Sequence, residues 1–396
     1  MCIFSSIKQS VMKHTKAAVE KEHKTTNSWA ENFDYSGFVA PFKVNADNEY
    51  FPALKAKLNA FVQELVHSGA ENSLVTEIDQ YTHDIIRAIE LYYMGNIVDA
   101  QLLVNDLINK FDSAPAITNI NNSPAFPVVR YPESEEVQFF RARLNDQVVD
   151  YPAAEMLHIP FKSREIVGSA RFSIPGLPCL YLGNTSYACW IEMGCPADHQ
   201  FNVSPVLLDN SQKVLNLTVT FHDVLELALS ENTNNQLELE KALIIQLKLL
   251  ILSIATSFKI TKQNRTFKSE YILSQMIMLA CKHRGLDGIT YYSKRVEEEL
   301  FAHVVAVNVV LFASYNGEEN LSEICNHIQI SDSFNFAMFK QLLPCQTCKD
   351  YPLRIKASPY ITNIGKRDRQ FPYRETQFFE FDKYLFANWN HMPTSK

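Results

Sequence analysis

The sequence predicts an α+β fold, and three observations carry that prediction. Apolar residues at three- and four-residue spacing run through residues 54–111, as they do along amphipathic helices. Short runs rich in β-branched and aromatic residues recur further on, at 137–143, 179–182, 204–208, 213–220, 288–293 and 304–312. Helical stretches at 238–260 and 269–283 fall among them without the regular strand–helix alternation of a doubly wound sheet.

Taken in order, residues 1–50 are polar and of mixed charge, with no glycine or proline before Gly37 and Pro41, and leave room for a short helix. Residues 51–112 form a helical module. Leu54, Leu58, Phe61 and Leu65 share one helix face, which Gly69 stops; Ile78, Tyr81, Ile85 and Ile89 mark a second helix that ends at Gly95; Ala100, Val104, Leu107 and Phe111 mark a third. Such a unit either binds a partner or braces the domain that follows. Residues 113–136, broken by Pro115, Pro124, Pro127 and Pro132, read as a linker. Residues 137–315 then hold the strand runs, and residues 316–396 form a C-terminal extension expected to pack on them.

Composition excludes some functions. Of 396 residues, 46% are hydrophobic and 20% charged, as in an ordinary globular protein. A net charge of −7 argues against a nucleic-acid binder, since a phosphate backbone rewards a basic surface. The most apolar run, 242–260, is interrupted by Gln246, Lys248 and Lys259 and reads as a buried or amphipathic helix, not a membrane span. The N-terminal stretch has no continuous apolar core of the signal-peptide kind, so a cytoplasmic location is expected. The eight cysteines read as thiols of a reducing compartment. Cys345 and Cys348 make half a zinc site, which Cys325 and His327 could complete only with an unusual spacing; we read them as ordinary thiols.

The densest group of chemistry-bearing residues lies in 169–193, SARFSIPGLPCLYLGNTSYACWIEM. Arg171 precedes a Pro-Gly-Leu-Pro turn, Tyr181 sits in an apolar strand, and Glu192 ends a short helix that Asn184, Thr185 and Ser186 can cap and Gly194 stops. Upstream, Arg141 and Arg143 share one face of a strand; downstream, Ser293 ends another. Arginine offers a planar fork suited to phosphate oxygens. Taken singly, each residue also has a plainer reading: a surface arginine, a core tyrosine, a solvated helix-end glutamate, a turn serine.

Together they resemble the RES domain family. The resemblance rests on Phe-Phe-Arg141-Ala-Arg, on Ala-Arg171-Phe-Ser followed by Pro-Gly-Leu-Pro-Cys-Leu-Tyr181-Leu-Gly, on Glu192, on Tyr271-Ile-Leu-Ser-Gln275, on Gly288-Ile-Thr-Tyr-Tyr-Ser293 and on Asn308-Val-Val-Leu-Phe312. It covers residues 137–315, with Ser173 standing where many relatives have Asn. The resemblance implies an ADP-ribosyltransferase-like mixed β core with flanking helices and an enzyme that consumes NAD⁺ as substrate, with no further cofactor. It implies a toxin or defence effector, often neutralised by an antitoxin, with water or inorganic phosphate as acceptor. In these terms Glu192, Arg141 and Ser293 are the catalytic set, Arg171 and Arg143 grip the pyrophosphate, and Tyr181 stacks on nicotinamide. Two alternatives stand beside it: a protein ADP-ribosyltransferase using the same pocket, and an inactive nucleotide-binding or partner-recognition module.

Overall fold

A computed structural model describes residues 29–389 except 113–115, 120–128, 131–136, 210, 230–235, 263, 296–305, 318–319, 343–353, 356–362 and 367–368. It is a mixed sheet with a helical layer ahead of it in sequence, an α+β architecture. After strand β1 (Phe42–Val44) come helices α1 (Asp47–His67), α2 (Asn72–Tyr93) and α3 (Ile97–Asn109). Their buried residues repeat at helical spacing, and Gly69 and Gly95, both at positive φ, end α1 and α2.

The main sheet follows the order β11-β6-β4-β5-β10-β9-β7-β2. Its strands are β2 (Ile117–Asn119), β4 (Val137–Leu144), β5 (Cys179–Gly183), β6 (Phe201–Leu208), β7 (Lys213–Leu217), β9 (Gly288–Tyr292), β10 (Val307–Phe312) and β11 (Ile328–Ile330). Strand β3 (Val129–Arg130) adds to β4. β7 and β9 run parallel, whereas β4, β5, β10 and β9 pair antiparallel at the centre. The segment read as a linker therefore supplies β2 and β3; both are too short to show through its proline- and asparagine-rich surroundings.

Further helices are α4 (Ser186–Glu192), α5 (Phe221–Ala228), α6 (Gln236–Thr256) and α7 (Ile272–His283). The helix expected over 238–260 stops at Thr256, and Phe258–Ile260 becomes strand β8, which pairs parallel with β1. The aromatic and β-branched residues of that strand pack against β1 instead of continuing a helical stripe. Among the described residues no helix is long and apolar enough to cross a membrane.

One apolar cluster runs from Leu54, Ile78 and Leu107 of the first helices, through Leu247 and Ile277, to Ile289 and Val310 of the sheet. Each such buried aliphatic side chain contributes about 1.5–3 kcal/mol by leaving water. The helices thus share a core with the sheet and brace its centre. On another side, the C-terminal helix α8 (Gln377–Ala387) sets Phe381, Leu385 and Phe386 into a second cluster with Phe140, Cys189 and Phe201.

Candidate functional site

The site grows from one row of the sheet. Phe140 of β4 lies opposite Gly183 of β5, Gly183 opposite Asn308 of β10, and Asn308 opposite Tyr291 of β9. Gly183 is the enabling residue. A Cβ there would stand 2.8 Å from Cys189 Sγ and 3.2 Å from Cys189 N, so its absence lets α4 lie directly on the strand. Thr185 caps that helix by accepting from the backbone N–H of Ala188, and Glu192 closes its far end.

The seating brings Glu192 over the row. Its Oε1 accepts from Asn308 Nδ2 at 2.7 Å, and its Oε2 lies 3.6 Å from Arg295 Nε. Asn308 is the polar exception within the apolar run VVAVNVVLF, and it is 3% exposed. A buried amide costs free energy unless it is hydrogen-bonded; here the bond serves to aim a carboxylate.

Beside Glu192 opens a cavity of about 220 Å³ lined by Arg141, Arg171, Tyr181, Tyr271, Tyr291 and Lys294, among others. Arg141 projects where β4 and β5 part after the Phe140–Gly183 pair, and its Nη1 donates to the Tyr181 carbonyl at 3.1 Å. Burial, aided by Arg143, draws its guanidinium down to about 10. Arg171 is 7% exposed and held from behind: Nη1 donates to the Tyr292 carbonyl at 2.9 Å, and Nη2 to Thr256 Oγ1 at 3.2 Å and Ser257 Oγ at 3.1 Å. Its guanidinium lies 4.9 Å from the Tyr291 ring centre. Burial lowers its pKa, and Tyr291 and Glu192 oppose that. Among the described residues neither arginine has a carboxylate within ion-pair distance, and the Nε of each is buried without a partner. A buried cation without a counter-ion is costly, so the cavity favours an anion.

Tyr181 donates its hydroxyl to Ser173 Oγ at 3.0 Å, and burial raises its pKa, so it stays a neutral aromatic wall. Cys189 also lines the cavity, but burial pushes its thiol up to about 12, which removes it as a thiolate nucleophile. Among the described residues no group of three or more His, Cys, Asp or Glu side chains could hold a metal ion. Cys345 and Cys348 lie outside the described residues.

Glu192, Arg141, Arg171 and Tyr181 are thus brought to one cavity, and two of the expected residues are not. Arg143 is directed at the Tyr151 ring, 5.8 Å from its centre, and does not line the cavity. Ser293 is buried behind the wall, where its Oγ accepts from the Arg295 backbone N–H at 3.2 Å and shapes the turn that presents Lys294 and Arg295. Sequence reasoning gave no role to Asn308, Tyr271, Tyr291, Lys294, Thr256 or Ser257. Asn308 carried a readable signal of its own, an amide inside a buried strand, and Tyr271 and Tyr291 stood within the motifs of the resemblance.

The site extends into the N-terminal part of the chain. The Phe42 N–H donates to the Ser257 carbonyl at 3.2 Å, so β1 fixes the turn that holds Arg171.

No protein-family model matches this chain. A Bacillus subtilis (strain 168) protein named "Putative toxin YopC" is 30% identical over 240 residues, covering 58% of this chain and 51% of that protein. The chain therefore spans about half the length of the curated relative it matches. Among solved structures, the Mycobacterium tuberculosis MbcT–MbcA toxin–antitoxin complex aligns with 60% of this chain and 96% of the matched chain, at 12% identity and a TM-score of 0.28, too low to define a shared fold.

Proposed function

We propose that this protein is a toxin or defence effector that breaks the nicotinamide–ribose bond of NAD⁺. The observation that carries the reading is one cavity holding an aimed carboxylate, Glu192, beside two buried guanidiniums that have no carboxylate partner among the described residues. A dinucleotide presents the complement: a cationic nicotinamide–ribose end and an anionic pyrophosphate. The toxin name of the Bacillus subtilis relative supports the biological side of the reading.

In this account Arg141 and Arg171 bind the pyrophosphate, and the tyrosine walls hold the nicotinamide ring. The bond from ribose C1″ to the nicotinamide nitrogen breaks heterolytically. Its electron pair passes to the ring, which leaves neutral, so a strong general acid is not required. The positive charge that develops on the ribose is met by Glu192, preorganised through Asn308. Water or inorganic phosphate then adds at C1″, and the proton it gives up passes to bulk solvent. Such an activity calls for restraint in its host, which a neutralising partner protein would supply.

The test is product analysis of NAD⁺ incubated with the purified protein, with and without phosphate. Free nicotinamide with ADP-ribose indicates hydrolysis, and nicotinamide with ADP-ribose 1″-phosphate indicates phosphorolysis. ADP-ribose bound only to protein marks the transferase alternative, and intact NAD⁺ under every condition removes the proposal.

A further inference from the structure

Lys294 is a lysine in an unusual position. Its Nζ donates to the Phe258 carbonyl at 2.8 Å and lies 4.4 Å from the Tyr271 ring centre, and the residue lines the cavity together with Arg171 and Glu192. An ammonium has three donors; the other two have no protein partner among the described residues. No carboxylate lies within ion-pair distance of it there. Arg295, next along the chain, is exposed and already leans on Glu192.

The support behind Lys294 is the support behind Arg171. Thr256 and Ser257 accept from the Arg171 guanidinium through their hydroxyls, and Phe258 accepts from Lys294 through its carbonyl. Three consecutive residues thus hold two cations side by side, and the Tyr292 carbonyl, two residues before Lys294, takes another Arg171 N–H. Two like charges held on one wall of a cavity, Arg171 buried and Lys294 half-buried, repel each other, and such an arrangement is stabilised by an anion that bridges them.

We propose that Lys294 and Arg171 form a two-cation subsite for phosphate oxygens. The subsite is distinct from Arg141, which approaches the cavity from β4. Its assignment to a dinucleotide pyrophosphate rests on the NAD⁺ reading; its affinity for a phosphate anion does not. Burial and then the neighbouring Arg171 hold the Lys294 ammonium well below the usual lysine range, whereas Glu270 and Glu192 oppose this and Lys268 adds to it. The groups that face it are therefore Arg171, Glu192, Glu270, Tyr271 and Lys268. As pH rises through that lowered value the ammonium loses its proton and the subsite one of its two charges.

The experiment is calorimetric titration of the full chain with inorganic pyrophosphate and with ADP-ribose across pH 6 to 10, for the wild type, K294M and K294R, with NAD⁺ turnover measured in parallel. The proposal expects pyrophosphate affinity of the wild type to fall at alkaline pH, K294M to bind about tenfold or more weakly at neutral pH, and K294R to bind with no alkaline fall. It also expects K294M to be as thermally stable as the wild type or more so, because a cation without a counter-ion is removed; a merely structural lysine would lower stability on substitution. Failure of the wild type to bind pyrophosphate, or equal binding by K294M, overturns the proposal. Pyrophosphate binding that depends on Lys294, in a protein that leaves NAD⁺ and ADP-ribose untouched, upholds the subsite and removes the NAD⁺ reading instead.

Discussion

The D382N substitution should make the protein more stable than the wild type, and increasingly so as pH rises from acid to neutral. Asp382 of α8 is 1% exposed. Its Oδ1 accepts from the Ser186 N–H at 3.1 Å, at the start of the helix that ends in Glu192, and its Oδ2 accepts from the Tyr373 hydroxyl at 2.6 Å. Burial raises the carboxyl from 3.8 to about 7, while Ser186 and Tyr373 pull the other way. The folded state thus keeps a proton that the unfolded chain gives up near its ordinary value. For a raised pKa the favourable contribution is complete below about 4 and is lost as pH climbs to about 7. At about 1.4 kcal/mol per pH unit, the loss across that window amounts to ~4 kcal/mol. An amide keeps the shape, accepts from Ser186, can donate to Tyr373 and never ionises.

Guanidinium unfolding of both proteins, from pH 4.5 to 8, reads this directly. The difference between them should start near zero and widen by several kcal/mol in favour of D382N, then level off above about pH 7. Parallel curves, with a gap independent of pH, would instead place the Asp382 carboxyl in an ordinary ionised state.

Two further predictions concern the row under Glu192. G183A places a methyl 2.8 Å from Cys189 Sγ and should cost about 1–3 kcal/mol by forcing α4 off the sheet. Urea unfolding measures it, and adding C189A should recover only part, because the Cys189 backbone nitrogen remains 3.2 Å away. N308A removes the 2.7 Å bond that aims Glu192 and should lower kcat for NAD⁺ about tenfold or more with little change in KM; unchanged kcat in steady-state assays would show that Asn308 has no orienting role.

Much of the fold was legible because its signals are local. Leu54, Leu58 and Leu65 repeat on one helix face, and 179–182 and 307–312 are apolar at strand length, so their elements are visible without knowing what they pack against. Residues 117–119 and 129–130 were not legible as strands, since two or three residues acquire that state only from a partner, β7 for one and β4 for the other. The site divides in the same way. Glu192, Arg141, Arg171 and Tyr181 stand out by motif and line the cavity. Thr256 and Ser257 enter only through the end of α6, and Lys294 only through its bond to the Phe258 carbonyl beside them; the place of that segment next to Arg171 is a matter of tertiary packing. Arg143 shows the limit of strand periodicity: two residues from Arg141, it is directed at Tyr151.

On the proposed reading, Glu192, held by Asn308, stabilises the cation formed as nicotinamide leaves. Nicotinamide release at saturating NAD⁺ by the wild type and by E192A, with ADP-ribose binding measured on both, tests it most directly. E192A should lose turnover by about a hundredfold or more while ADP-ribose still binds at Arg141 and Arg171. Wild-type turnover in E192A, or no nicotinamide from either protein, would contradict it.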